Sequence, residues 1–209
     1  MGNPVKRVML AAGLALTTML AGSVSARVGQ TSSVLVELVN FECPHCRAES
    51  AYVPGIASAA RQAGNTFEVA PLEPAPAGSP AASVLAFYAE TAAYPEQDVA
   101  AAAAIYNGYV QGAAMGSKRS VLSWLHLQGV RVAAAYRLLS TQIPMSRWTK
   151  ALRLAGYVHA STYPTFVAID ASTGDIRRVF RWNGHAGQLA RTVIAWLSMP
   201  ERVTKTEVQ

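Results

Sequence analysis

Cysteine is nearly absent from this chain. Only Cys43 and Cys46 occur in 209 residues. Two cysteines exclude a multi-disulfide scaffold, and without a second pair they supply only half of a four-cysteine zinc site. The sequence also lacks any lysine- or arginine-rich run with interleaved aromatics. A formal net charge of +6 therefore reads as a solvated surface with a weak attraction for acidic partners, and nucleic acid is not expected as a partner. The basic groups at 118–119 and 177–178 read as loop or strand-edge charges. No internal repeat is visible. The one extended apolar segment, VMLAAGLALTTMLAG after Lys6 and Arg7, is short for a membrane span.

That segment has the layout of a secretory signal peptide over residues 1–26. A short positive region and an apolar stretch lead to small residues at Val24-Ser25-Ala26. No cysteine lies near the cleavage position, so lipid attachment is not indicated. Removing the segment leaves 27–209 as one domain and lowers the net charge from +6 to +4. Export would place that domain in an oxidising compartment, where cysteine pairs hold disulfides.

The chain is organised around VLVELVNFECPHC, Val34 to Cys46. Its apolar and β-branched run reads as a buried strand of a mostly parallel sheet. Pro44 then suits the first turn of a helix, whose N–H groups have no intrahelical partner. Cys43 thus falls at a helix N-terminus leaving the end of a central strand. Unpaired N–H donors and the helix dipole favour a thiolate there, the reactive form of cysteine. His45, between the two cysteines, is placed to add a donor beside Cys43. Cys43 reads as the attacking sulfur and Cys46 as the buried resolving one. Other readings of the pair are a structural disulfide, half of a zinc site, and a copper site using both thiols and a histidine. The loop of a C-x-x-C pair is too short to constrain an unfolded chain much.

Downstream, Pro54-Gly55 reads as an interruption before the helical pattern resumes to about Gln62. TFEVAPLEP from Thr66 reads as a second strand, and the prolines at 71, 74, 76 and 80 as a rigid connector. From about 81 to 157 the alanine-rich chain predicts helices over roughly 81–93, 96–111, 117–127, 129–139 and 145–156. Breaks are expected at Tyr94-Pro95, 112–116, Gln128-Gly129 and Ile143-Pro144. TFVAID after Tyr163-Pro164 and IRRVFRW after a turn at 171–174 read as strands. GQLARTVIAWL has helical spacing and closes the domain, followed by a polar tail. The fold class is α/β.

This order resembles the thioredoxin fold with an inserted helical subdomain, as in DsbA-like disulfide oxidoreductases of bacterial envelopes. Cys43-Pro44-His45-Cys46, the segment Tyr163 to Val167, and Glu37 six residues before Cys43 carry the resemblance. It implies a periplasmic thiol–disulfide oxidoreductase that introduces disulfides into exported proteins and is reoxidised by a membrane partner. Neither metal nor organic cofactor is implied, and a monomer is expected because little precedes the first strand. Pro164 matches the proline that is cis in the family and faces the cysteine pair. It would free the backbone of Tyr163 for an extended substrate. Glu37, an acid in an apolar strand, would have a raised pKa and exchange a proton with Cys46. The family often pairs this acid with a lysine on the next strand, and TFEVAPL has none. Tyr163 stands where the family usually has a small or β-branched residue, so oxidase, reductase and isomerase all stay open. His126, His159 and His185 read as surface residues. Trp124, Trp148, Trp182 and Trp196 read as core or groove-lining residues, with none singled out for function.

Overall fold

The structure is a computed structural model that describes residues 32–73 and 80–199. The signal-peptide segment, most of the proline-rich connector and the polar tail lie outside the described residues. Four strands, β1 (Ser33–Val39), β2 (Thr66–Pro71), β3 (Thr165–Asp170) and β4 (Ile176–Arg181), form one sheet in the order β2-β1-β3-β4. β1 pairs in parallel with β2 and antiparallel with β3, and β3 pairs antiparallel with β4. The strand richest in valine and leucine, β1, is therefore a middle strand, and β3 beside it is buried at Thr165–Ala168 and Asp170, as strands covered on both faces require.

Each face has its own core. Alternation along β1 sends Leu35 to one side, where it packs with Ile56 and Ala60, Phe166 and Phe180, and Leu189 and Val193. These come from α2 (Val53–Gln62), the sheet and α8 (Gln188–Leu197). Val36 and Leu38 point the other way, into a larger core built with the inserted helices. α3 (Ala82–Ala93) is the hub of that insertion and packs on α4 (Asp98–Gln111), α5 (Lys118–Leu127), α6 (Ala135–Leu138) and α7 (Ile143–Tyr157). Alanine on α3 and α4 lets these helices approach closely. Among the described residues no helix is long and apolar enough to cross a membrane.

Three expectations about helix limits change. The helix expected over 129–139 shrinks to α6. Gly129, at φ +82°, ends α5, with the Val130 N–H donating to Leu125 O at 3.0 Å. Val130 and Val132 are then buried in a non-helical stretch, so burial of two β-branched side chains wins over helix continuity. The break expected at Pro54-Gly55 falls earlier, at Ala51-Tyr52, and Pro54 lies in the first turn of α2. The break expected at Ile143-Pro144 is likewise the beginning of α7, with Pro144 in its first turn. A proline costs no hydrogen bond there.

One buried contact ties the helix that follows the cysteines to the rest of the domain. Glu49, in α1 (Pro44–Ser50), has no solvent exposure. Its carboxylate accepts from the backbone N–H groups of Gly187 at 2.7 Å and Ala190 at 2.8 Å, capping the N-terminus of α8. Gly187 has φ +73°, and a Cβ there would lie 2.8 Å from the Tyr52 ring. The sequence reading passed over both residues. Glu49→Ala strands two buried donors, and a loss of at least about 2 kcal/mol of unfolding free energy is expected in denaturant titration. Gly187→Ala should also destabilise the domain in the same measurement, because it adds a left-handed side chain and a ring clash.

Candidate active site

Cys43 is the N-cap residue of α1, in extended conformation, and Pro44 occupies the first turn. Its Cys43 N–H donates to Asn40 O at 3.0 Å, so the loop leaving β1 is itself a hydrogen-bonded turn. This brings Cys43 to the surface, partly exposed, and drives Cys46 one turn later into the core with no solvent exposure. Both are free thiols. The Cys46 sulfur accepts from the Asn40 N–H at 3.5 Å.

From 120 residues away, the start of β3 meets this helix. The Tyr163–Pro164 bond is cis, and the Cys43 S–H donates to the Tyr163 carbonyl at 3.7 Å. Trp182 N–H donates to Pro164 O at 3.3 Å, which extends the β3–β4 ladder to the same corner. The Trp182 ring lies on His45, with centroids 5.2 Å apart and the planes 25° from parallel. His45, expected from the sequence to add a donor beside Cys43, thus presents a ring face to Trp182. Trp182 is the site residue missed. Its one signal was its place at the end of β4, just before the Asn183-Gly184 turn.

Glu37 lies inside the sheet, 2 % exposed, paired in register with Phe166 of β3. Burial first, then the charges of Glu49 and Asp98, push its pKa up to about 8. Burial likewise drives the Cys46 thiol far above its ordinary value, against the lowering effect of the Asn40 N–H, with Cys43 and Glu37 adding to the rise. Burial and then Cys46 raise the Tyr163 phenol. A second carboxyl was also passed over. Glu73 is buried and accepts from the Tyr109 hydroxyl at 3.1 Å. Burial and the neighbouring Glu42 carboxylate, next to Cys43 in the chain, raise its pKa.

His126, His159 and His185 are exposed, and Trp148 is buried. Among the described residues no group of three or more histidine, cysteine or acidic side chains is arranged to hold a metal ion. A cavity of about 800 Å³ opens along the β2 edge beside Arg61, Arg147 and Asp98, and neither cysteine lines it.

This is a thioredoxin-type sheet with a helical subdomain set between β2 and β3, the DsbA-like form of that fold. No protein-family model and no curated protein sequence matches the chain. Solved structures match its fold. A candidate protein disulfide isomerase from Nitrosomonas europaea superposes with a TM-score of 0.65 at 13% identity, over 79% of this chain and 98% of that one. The oxidoreductase NmDsbA1 from N. meningitidis gives a TM-score of 0.58 at 14% identity, over 82% and 84%. The cytosolic disulfide reductase DsbM from Pseudomonas aeruginosa gives 0.59 at 17% identity, over 78% and 96%.

Glu37 makes stability depend on pH. Its pKa in the folded chain, about 8, lies above the ordinary 4.5. Between those values the folded chain holds a proton that the unfolded chain releases, so stability falls as pH rises through the window. Glu37→Gln removes this dependence. Denaturant titration should show the variant gaining on the parent from pH 4.5 upward, to a plateau of a few kcal/mol (about 1.4 kcal/mol per pKa unit) above pH 8. A constant difference across that range would mean that Glu37 is ionised in the fold.

Proposed function

We propose that this chain is a thiol–disulfide oxidoreductase of the periplasm that works as a dithiol oxidase on exported proteins. One observation carries the reading. A partly exposed cysteine at a helix N-terminus lies against the carbonyl that precedes a proline at the head of β3, with its C-x-x-C partner buried behind it. An extended substrate segment can lie along Tyr163 and present its cysteine to Cys43. The signal-like segment at residues 1–26 supports export, and the fold shared with DsbA-like proteins supports disulfide chemistry.

The exchange runs in two steps. A substrate thiolate attacks the Cys43 sulfur of the Cys43–Cys46 disulfide. The S–S bond electrons go to Cys46, which takes a proton from Glu37. A second substrate thiolate then attacks the substrate-side sulfur of the mixed disulfide and releases Cys43 as a thiolate. The substrate leaves oxidised by two electrons, and the enzyme is left as a dithiol. A membrane-bound oxidant restores the disulfide, and the Glu37 carboxylate takes back the Cys46 proton. Tyr163, larger than the residue usual at that position, lines the substrate path. No metal or organic cofactor takes part.

Cys43→Ser should reduce oxidation of a peptide dithiol to background while thermal unfolding stays that of the parent. Cys46→Ser, offered the same peptide as its disulfide, should accumulate a mixed disulfide in which Cys43 takes one peptide sulfur and the other leaves as a thiol, detected as a mass adduct at Cys43. Full activity in Cys43→Ser would overturn the mechanism. The redox potential separates the directions. A value toward about −120 mV marks an oxidase, and one toward about −270 mV would replace that reading with a reductase.

A further inference from the structure

Tyr106 sits on α4, with its ring edge-on to Phe41 at 5.2 Å between centroids. The residue is 4 % exposed, and its hydroxyl has no hydrogen-bond partner. A buried phenol without a partner is a cost that phenylalanine would avoid in the same space. The groups bearing on it are those of the site. Tyr106, Phe41 and Cys46 belong to one buried cluster, the hydroxyl completes no hydrogen bond to the sulfur in the dithiol state, and after burial itself Cys46, Glu37 and Cys43 oppose its ionisation. The charged groups bearing on Glu37 are acids, Glu49 on α1 and Asp98 on α4. β2 carries no lysine beside this acid, and the backbone donor placed on the buried sulfur is the Asn40 N–H.

We propose that the Tyr106 hydroxyl is a second donor, held unpaired in the dithiol and ready for the Cys46 sulfur when it becomes an anion. This rests on the exchange proposed above for Cys43 and Cys46. When a substrate thiolate opens the disulfide, the bond's electron pair goes to Cys46, whose thiolate receives the Asn40 N–H and the Tyr106 O–H. Glu37 then delivers its proton to the sulfur, and the phenol keeps its own throughout. In the return step the Glu37 carboxylate removes that proton. The thiolate, again held by the two donors, attacks the Cys43 sulfur of the mixed disulfide. Donors fixed in advance where charge develops, in a site without water, lower the barrier because nothing has to reorient.

The test uses the full chain carrying a glutathione adduct on Cys43. The rate at which Cys46 expels glutathione is followed by rapid quench across pH. Tyr106→Phe should unfold no more easily than the parent. Its expulsion rate near neutral pH should fall about tenfold to a hundredfold, the scale of losing one oxyanion-hole donor, and the midpoint of the pH–rate curve should move upward. A rate within twofold of the parent with an unmoved midpoint would overturn the proposal, since packing alone would then account for the residue. Should Tyr106→Phe fail to fold, 2,3,5-trifluorotyrosine at position 106 offers a more acidic donor of similar size. The midpoint should then move downward, and an unmoved midpoint again overturns the proposal. A parent that, with glutathione disulfide, gives neither an adduct at Cys43 nor a Cys43–Cys46 disulfide refutes the oxidoreductase reading itself. An active parent with an indifferent Tyr106→Phe refutes only the role of Tyr106.

Discussion

The molecule depends on a sulfur atom kept out of water. Cys46 is fully buried one helical turn from a cysteine at the surface, so any chemistry that makes it an anion must find its charge partners inside the protein. Water supplies a proton or a donor anywhere on a surface, but not here. The environment of Cys46 therefore has to contain a proton carrier and preset donors, and it is assembled from widely separated parts of the chain. Glu37 comes from the middle of β1, the Asn40 N–H from the loop after it, and Tyr106 from a helix of the insertion. In the proposed exchange the insertion is thus part of the site as well as a cover for one face of the sheet.

Holding that environment has a cost in stability. Burial raises the pKa of Glu37, Glu73, Glu90 and Asp98 alike, and a carboxyl that resists ionisation weakens the fold near neutral pH. Some of these groups are put to structural use. Glu90 accepts from Gln97 at 2.9 Å, and Asp98 accepts from the Val69 N–H at 3.3 Å, occupying a donor of β2, the edge strand. Glu49 meets two buried donors of a helix N-terminus and locks α1 to α8. That anchor holds the cysteine helix in place against α8.

Proline shows how far local rules carry. Pro44, Pro54, Pro95 and Pro144 all lie in the first turn of a helix or 3-10 turn. The sequence reading used that rule at Pro44, where a strand pattern led into the residue. At Pro54 and Pro144 helical patterning ran on both sides, and the same residue type was taken for a break. Local chemistry determines that a proline punctuates a helix. Which side of it the helix lies on depends on what the flanking residues bury. Val130 and Val132 make the same point, since their helical neighbours gave no warning that the core would draw them out of a helix.

The sequence alone determined the sheet strands and the α/β class, because periodicity acts over a few residues, whereas the meeting of the C-x-x-C helix with the late Tyr-Pro strand was implied only by the resemblance to the thioredoxin fold. An acid amid valine and leucine also announced Glu37, since burial of an isolated carboxylate is too costly to be accidental. Tertiary structure alone decided that His45 turns to Trp182, that Glu49 caps a helix 138 residues away, and that Tyr106 is buried in one core with Cys46. Each of these is a meeting of side chains from distant segments, and its energy comes from excluding water between surfaces that do not exist until the chain has closed.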